Sequence, residues 1–114
     1  MNNEKPIILV LVTVPDQESA NLIAKALLEK KLAACVNILP GLISLYNWDG
    51  ELQEEKEFQL FIKTRSDLLE EKIIPLIQKL HPYDLPEIIA IPVVGGSSSY
   101  LAWIITETEV ENPA

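Results

Sequence analysis

The stretch SLYNWDGELQEE, residues 44–55, sets Asp49-Gly50 between two runs of strand-forming residues, and the fold follows from how it is read. Asp-Gly suits a two-residue hairpin loop because both positions of a type I′ turn need positive φ, which aspartate tolerates and glycine adopts freely. Such a loop fixes the register, pairing Trp48 with Glu51 and Tyr46 with Gln53. Working outward, one arm runs back to Ala34 and the other forward to Thr64, with Pro40-Gly41 interrupting the ladder at a bulge or an edge. Because strand side chains alternate, Phe58, Leu60 and Ile62 share one face of the second arm, and Gln59, Phe61 and Lys63 share the other.

Upstream, Ile7 to Val14 is continuously apolar or β-branched and stops at Pro15, which predicts a strand covered on both faces. Asp16 is placed to cap a helix with Glu18 in its first turn, an apolar stripe of Ala20, Ile23, Ala24, Leu27 and Leu28, and Lys30 and Lys31 at its end. Downstream, Ser66 is placed to cap a second helix with the stripe Leu69, Ile73, Leu76, Ile77 and Leu80. Pro75 inside it must bend or restart it, because its ring removes the bond to Glu71. Ile88 to Val94 predicts a fourth strand that Pro92 marks as edge or bulged. Gly95-Gly96 turns the chain, and the serines at 97–99 cap a short final helix.

The order strand, helix, strand, strand, helix, strand, helix is met most economically by an α+β fold: a ferredoxin-like βαββαβ sandwich with an added C-terminal helix. That layout puts both main helices on one sheet face. Ile8, Val10 and Val12 point one way and Ile7, Leu9 and Leu11 the other, so one set lacks helix cover. Each large apolar side chain left in water forgoes about 1.5–3 kcal/mol, so the second face is expected to be covered by other copies of the chain.

Composition bounds the rest. A chain of 114 residues with 48% hydrophobic content is enough for one domain, residues 1–114, with a real core. The opening MNNEKP pairs Glu4 with Lys5 and gives no basic leader region, and no run is long enough to cross a bilayer. Cys35 has no cysteine to pair with and reads as a small buried apolar residue, so a reducing, cytoplasmic setting is expected. A net charge of −8 repels a phosphate backbone, which argues against nucleic acid as a partner. Glu51, Glu54, Glu55 and Glu57 either concentrate cations locally or, more simply, keep the hairpin soluble.

HPYDLPEI, residues 81–88, carries the only histidine, between prolines and carboxylates. His81 either fixes a loop, binds a metal or moves a proton, and sequence proximity alone places no reacting atom beside it. The aromatic and charged group Tyr46, Trp48, Lys63, Tyr83, Glu87, Tyr100 and Trp103 describes the wall of a small-molecule cleft, with Lys63 for an anion and Glu87 for a cation or amine. The competing reading makes Trp48 and Trp103 anchors between subunits, and one cleft at a subunit boundary serves both. GGSSS, residues 95–99, offers backbone amides to an anion or is simply a turn with a cap. No Walker pattern, dinucleotide fingerprint or paired-cysteine zinc spacing occurs, and no enzyme activity is expected.

The segments VTVPDQESANLIAKALLEKKLAACVNILPG (12–41), SLYNWDGELQEEKE (44–57), FIKT (61–64), HPYDLPEI (81–88) and YLAW (100–103) together resemble the CutA family of divalent-cation tolerance proteins. The resemblance implies a ferredoxin-like subunit in a homotrimer similar to PII signalling proteins, with clefts between subunits as the working surface. It also implies a part in tolerance to divalent cations, copper among them. In some bacterial members the proposed copper ligands are a cysteine ending the first strand and two adjacent histidines before the Pro-Tyr of the loop. Here those positions read Val12, Leu80 and His81, which leaves His81 as the single candidate metal ligand and makes metal binding weak or indirect. The alternative is a PII-like carrier or sensor of a small molecule held between subunits.

Overall fold

A computed structural model describes residues 6–109. Glu4 and Lys5 lie outside the described residues. Strand β1 (Ile7–Val14) leads through helix α1 (Gln17–Glu29) to the long hairpin of β2 (Cys35–Trp48) and β3 (Glu51–Arg65); helix α2 (Ile74–Leu80), the short β4 (Ile89–Pro92) and helix α3 (Ser98–Glu107) follow. The strands form one sheet in the order β2-β3-β1-β4, every pair antiparallel, which is the ferredoxin-like arrangement.

The hairpin has the expected register, Trp48 opposite Glu51 and Tyr46 opposite Gln53, with positive φ at Asp49 (52°) and Gly50 (77°). The ladder slips between Leu39 and Leu42, so Pro40-Gly41 is a bulge. Asp16 caps α1 by accepting from the Ser19 amide at 2.8 Å, and Ser97 caps α3 by accepting from the Tyr100 amide. β4 lies at the sheet edge, where Pro92 costs no ladder bond, and it is shorter than the Ile88 to Val94 run that the sequence suggests.

Three expectations need correction. Ser66 does not cap the second helix: its amide donates to the Pro6 carbonyl, and the chain passes through a 3-10 turn (Ser66–Leu68) and a π turn (Leu69–Ile73) before α2. The Ile74 amide reaches the Leu69 carbonyl five residues back, and α2 then starts with Pro75 in its first turn, where a missing N–H costs nothing. Leu28 leaves the stripe of α1 and is 41% exposed, whereas Ala20, Ile23, Ala24 and Leu27 are buried. Cys35 is only half-buried, its Sγ 3.9 Å from Asn37 Oδ1.

Ile8, Val10, Val12 and Val14 of β1, with Leu60 and Ile62 of β3, meet Ile23 and Leu27 of α1 and Ile73 and Ile77 beneath α2 to form the core. The opposite sheet face is not wholly bare. α3 packs on β3 and β1 there, burying Ile104, and Leu9 and Leu11 are half-buried. Replacing Leu27, fully buried, by Ala should lower unfolding free energy by about 2–5 kcal/mol in urea titrations, whereas Leu28→Ala should change it by less than about 0.5 kcal/mol; equal effects would refute this assignment of the helix face.

Candidate functional site

β1 pairs with β3 from Ile7 opposite Arg65 only as far as Val14 opposite Phe58, so β3 residues before Phe58 have β2 as their sole strand partner. The hairpin therefore overhangs the sheet as a two-stranded arm. Along it, strand alternation points Gln53, Glu55 and Glu57 of β3 the same way as Ser44 and Tyr46, their partners or near neighbours on β2. The extra residue at the Pro40-Gly41 bulge makes this possible: it switches the parity of β2, so that even-numbered residues after it face where odd-numbered residues faced before.

The loop 81–88 closes the opposite wall. A cavity of about 750 Å³ lies between arm and loop, lined by Tyr46, Trp48, Glu55, Glu57, Tyr83 and Glu87 among others, with Thr13 at the end of β1. Its lining holds the carboxylates Glu55, Glu57, Asp84 and Glu87 and no lysine, arginine or histidine.

His81 fixes the loop. It is buried, with Nε2 2.7 Å from the Thr13 carbonyl and Nδ1 accepting from the Tyr83 amide at 3.1 Å. An Nδ1 that accepts leaves the proton on Nε2, which then donates to Thr13, so one neutral tautomer satisfies both bonds. Both ring nitrogens are thus engaged within the chain. The ring also lies 4.9 Å from that of Tyr83, whose hydroxyl donates to Glu57 Oε2 at 2.9 Å. Burial, and next the bonded Glu57 carboxylate, push the Tyr83 hydroxyl far above the ordinary phenol range, so it stays a donor. Burial, and next the negative charge of Glu57, also push the Glu87 carboxyl up.

Of the aromatic and charged group picked out in the sequence, the structure brings Tyr46, Trp48, Tyr83 and Glu87 to this cavity. Lys63, Tyr100 and Trp103 form a second cluster: Lys63 Nζ lies 3.2 Å from the Tyr100 hydroxyl and 5.4 Å from its ring centroid, and the Tyr100 and Trp103 rings are 5.5 Å apart. Both clusters are on the sheet face opposite α1 and α2, separated along β3 by the six steps from Glu57 to Lys63, about 20 Å. Of GGSSS, Ser97 caps α3, while Gly95 and Gly96 form neither a turn nor a bend.

Glu57 is the residue that the sequence reading undervalued. It is not a solubilising surface group: it is 7% exposed and held by Tyr83. The signal was its parity, since it shares a strand face with Gln59 and Phe61. Among the described residues no three His, Cys, Asp or Glu side chains converge closely enough to hold a metal ion.

The family model described as CutA1 divalent ion tolerance protein matches residues 8–107. The divalent-cation tolerance protein CutA of Thermus thermophilus is 48% identical over 100 residues, covering 88% of this chain and 96% of that protein. The crystal structure of CutA1 from Oryza sativa superimposes with a TM-score of 0.90 at 42% identity, covering 96% of this chain and all of that one. That of CutA from Xylella fastidiosa gives 0.88 at 42% identity, covering 91% of this chain and 99% of that one.

The raised Glu87 value has a definite sign. Its ionised form is disfavoured in the folded protein, so its contribution is most favourable while it is protonated, below the ordinary value of 4.5, and is lost as pH rises through the raised folded value. Glu87→Gln should therefore raise the melting temperature at neutral pH by about 1–3 °C and leave it unchanged in acid below that ordinary value; a lower melting temperature at neutral pH would refute the repulsion with Glu57.

Proposed function

The chain belongs to the CutA1 family of divalent ion tolerance proteins, and from that premise we propose that it is a non-catalytic binding protein. It engages divalent cations weakly through the carboxylates of the arm pocket, and it works as a homotrimer. The observation that carries this reading is the pocket itself: carboxylates line it without a basic residue. Such a cleft concentrates cations, and carboxylate oxygens suit hard divalent ions better than they suit copper, which favours imidazole and thiolate. A copper ion at His81 would have to displace either the Thr13 or the Tyr83 bond.

Assembly is supported by what a single chain leaves in water. The arm exposes Ile43, Leu45 and Leu52 on the face away from Tyr46, the last at 73%, and β4 exposes Ile89 and Ile91. A two-stranded hairpin with such a surface is marginal by itself, and a neighbouring copy would cover it. A second reading, a carrier of a small molecule, is favoured by the pocket volume, which falls within the range of small-molecule sites, and by its aromatic walls.

Light scattering on the purified protein should give three chain masses; a well-folded single chain in dilute solution would overturn the assembly. Calorimetry with copper, zinc and magnesium should give dissociation constants weaker than about 1 μM, with His81→Ala changing them less than about twofold and the Glu57→Gln/Glu87→Gln double variant weakening them about tenfold. Tight copper binding abolished by His81→Ala would move the metal to the histidine and end the pocket reading.

A further inference from the structure

We propose that the arm pocket binds a linear aliphatic polyamine, its nitrogens on the carboxylates and its methylenes against the aromatic wall. The inference rests on the pocket being the working surface and names a ligand that divalent ions alone do not account for.

Glu57 is the starting point. At 7% exposure the residue is largely screened from water, the Tyr83 hydroxyl holds Oε2, and the carboxylate lines the cavity. It shares the cavity with Glu55, Asp84 and Glu87, and no side chain lining the pocket supplies the positive charge that would offset theirs. Glu87 across the cavity feels the Glu57 charge as repulsion, which a cation placed between them would relieve.

Shape then selects among cations. The cavity follows the arm from Glu57 toward Trp48 near the turn, and same-face side chains on a strand recur about every 7 Å, so Glu55 and Glu57 present negative charge at intervals along a trough. A metal ion, bare or hydrated, fills little of 750 Å³ and has no use for the faces of Tyr46 and Trp48, of which Trp48 is 54% exposed. A chain of ammonium groups joined by methylenes uses both features: charge-assisted hydrogen bonds to the carboxylates, and cation–π and apolar contact with the rings. Anions are repelled, and neutral molecules bring no charge to offset the four carboxylates.

The test is calorimetry on the intact protein at fixed ionic strength with spermidine, 1,4-diaminobutane and magnesium chloride. Spermidine should bind at least about tenfold more tightly than either of the others, and Glu57→Gln and Trp48→Ala should each weaken it about tenfold. Glu29→Gln, which removes the same charge from the exposed end of α1, should leave it unchanged. If Glu57→Gln fails to fold, Glu87→Gln at the more exposed carboxylate decides in its place, with the same loss expected. Spermidine binding no better than magnesium, or weakened equally by Glu29→Gln, overturns the proposal. Should magnesium still bind and respond to the pocket variants in that case, the cation reading stands without the polyamine; should neither bind, both fall.

Discussion

The hairpin is longer than the sheet that supports it. β1 has eight residues and β3 fifteen, and the antiparallel register uses up β1 at Phe58. Everything before Phe58 on β3, with its partner residues on β2, must project past the body of the molecule. The projection creates a concave wall, leaves apolar side chains without intrachain cover and draws the molecule out to 51 Å along its longest axis. A hairpin matched in length to β1 would have none of these features.

One extra residue then decides what the wall contains. The side-chain period of a strand is two, so the bulge at Pro40-Gly41 exchanges the faces of β2 beyond it. Without it, Ile43 would stand opposite Glu55 and Leu45 opposite Gln53, and Ser44 and Tyr46 would point the other way. The far wall has its own brace. His81 ties the loop to the last residues of β1 through Thr13, then to its own Tyr83 amide, and Tyr83 spans the gap to Glu57. The chain Thr13–His81–Tyr83–Glu57 thus links the sheet end, loop and arm root by bonds that each need a particular proton position, while the prolines at 82 and 86 limit the backbone between them.

Much of this was legible in the sequence because it follows local rules. Asp49-Gly50 set the register, Pro40-Gly41 marked the bulge, Asp16 and Ser97 capped their helices, and Pro92 named the edge strand. The lead into α2 was not legible, because a proline inside an apolar stripe forces a break without saying which turn type absorbs it. Leu28 was misplaced because a stripe at helical spacing is wider than the contact that α1 makes. For the candidate site, the residue types were readable and their grouping was not. Alternation along β3 puts Lys63 and Glu57 on one face, but only the three-dimensional course of the loop and of α3 assigns Tyr83 to one end of that face and Tyr100 to the other. Glu57 was missed because a glutamate within an acidic run looks solvated until the loop that covers it is in place.

The separation of the two clusters has a structural consequence of its own. Tyr83 reaches Glu57 at one end of β3 while Tyr100 reaches Lys63 about 20 Å away, and no side chain spans that distance. A rigid sheet cannot fold back to join them, so one chain has an acidic aromatic pocket and a separate lysine–aromatic patch. Within one chain Lys63 and the pocket carboxylates therefore lie in separate surroundings, the lysine against the ring of Tyr100 and Glu57 against the hydroxyl of Tyr83, because the arm carries its acids past the end of β1 while α3 sits over the body of the sheet.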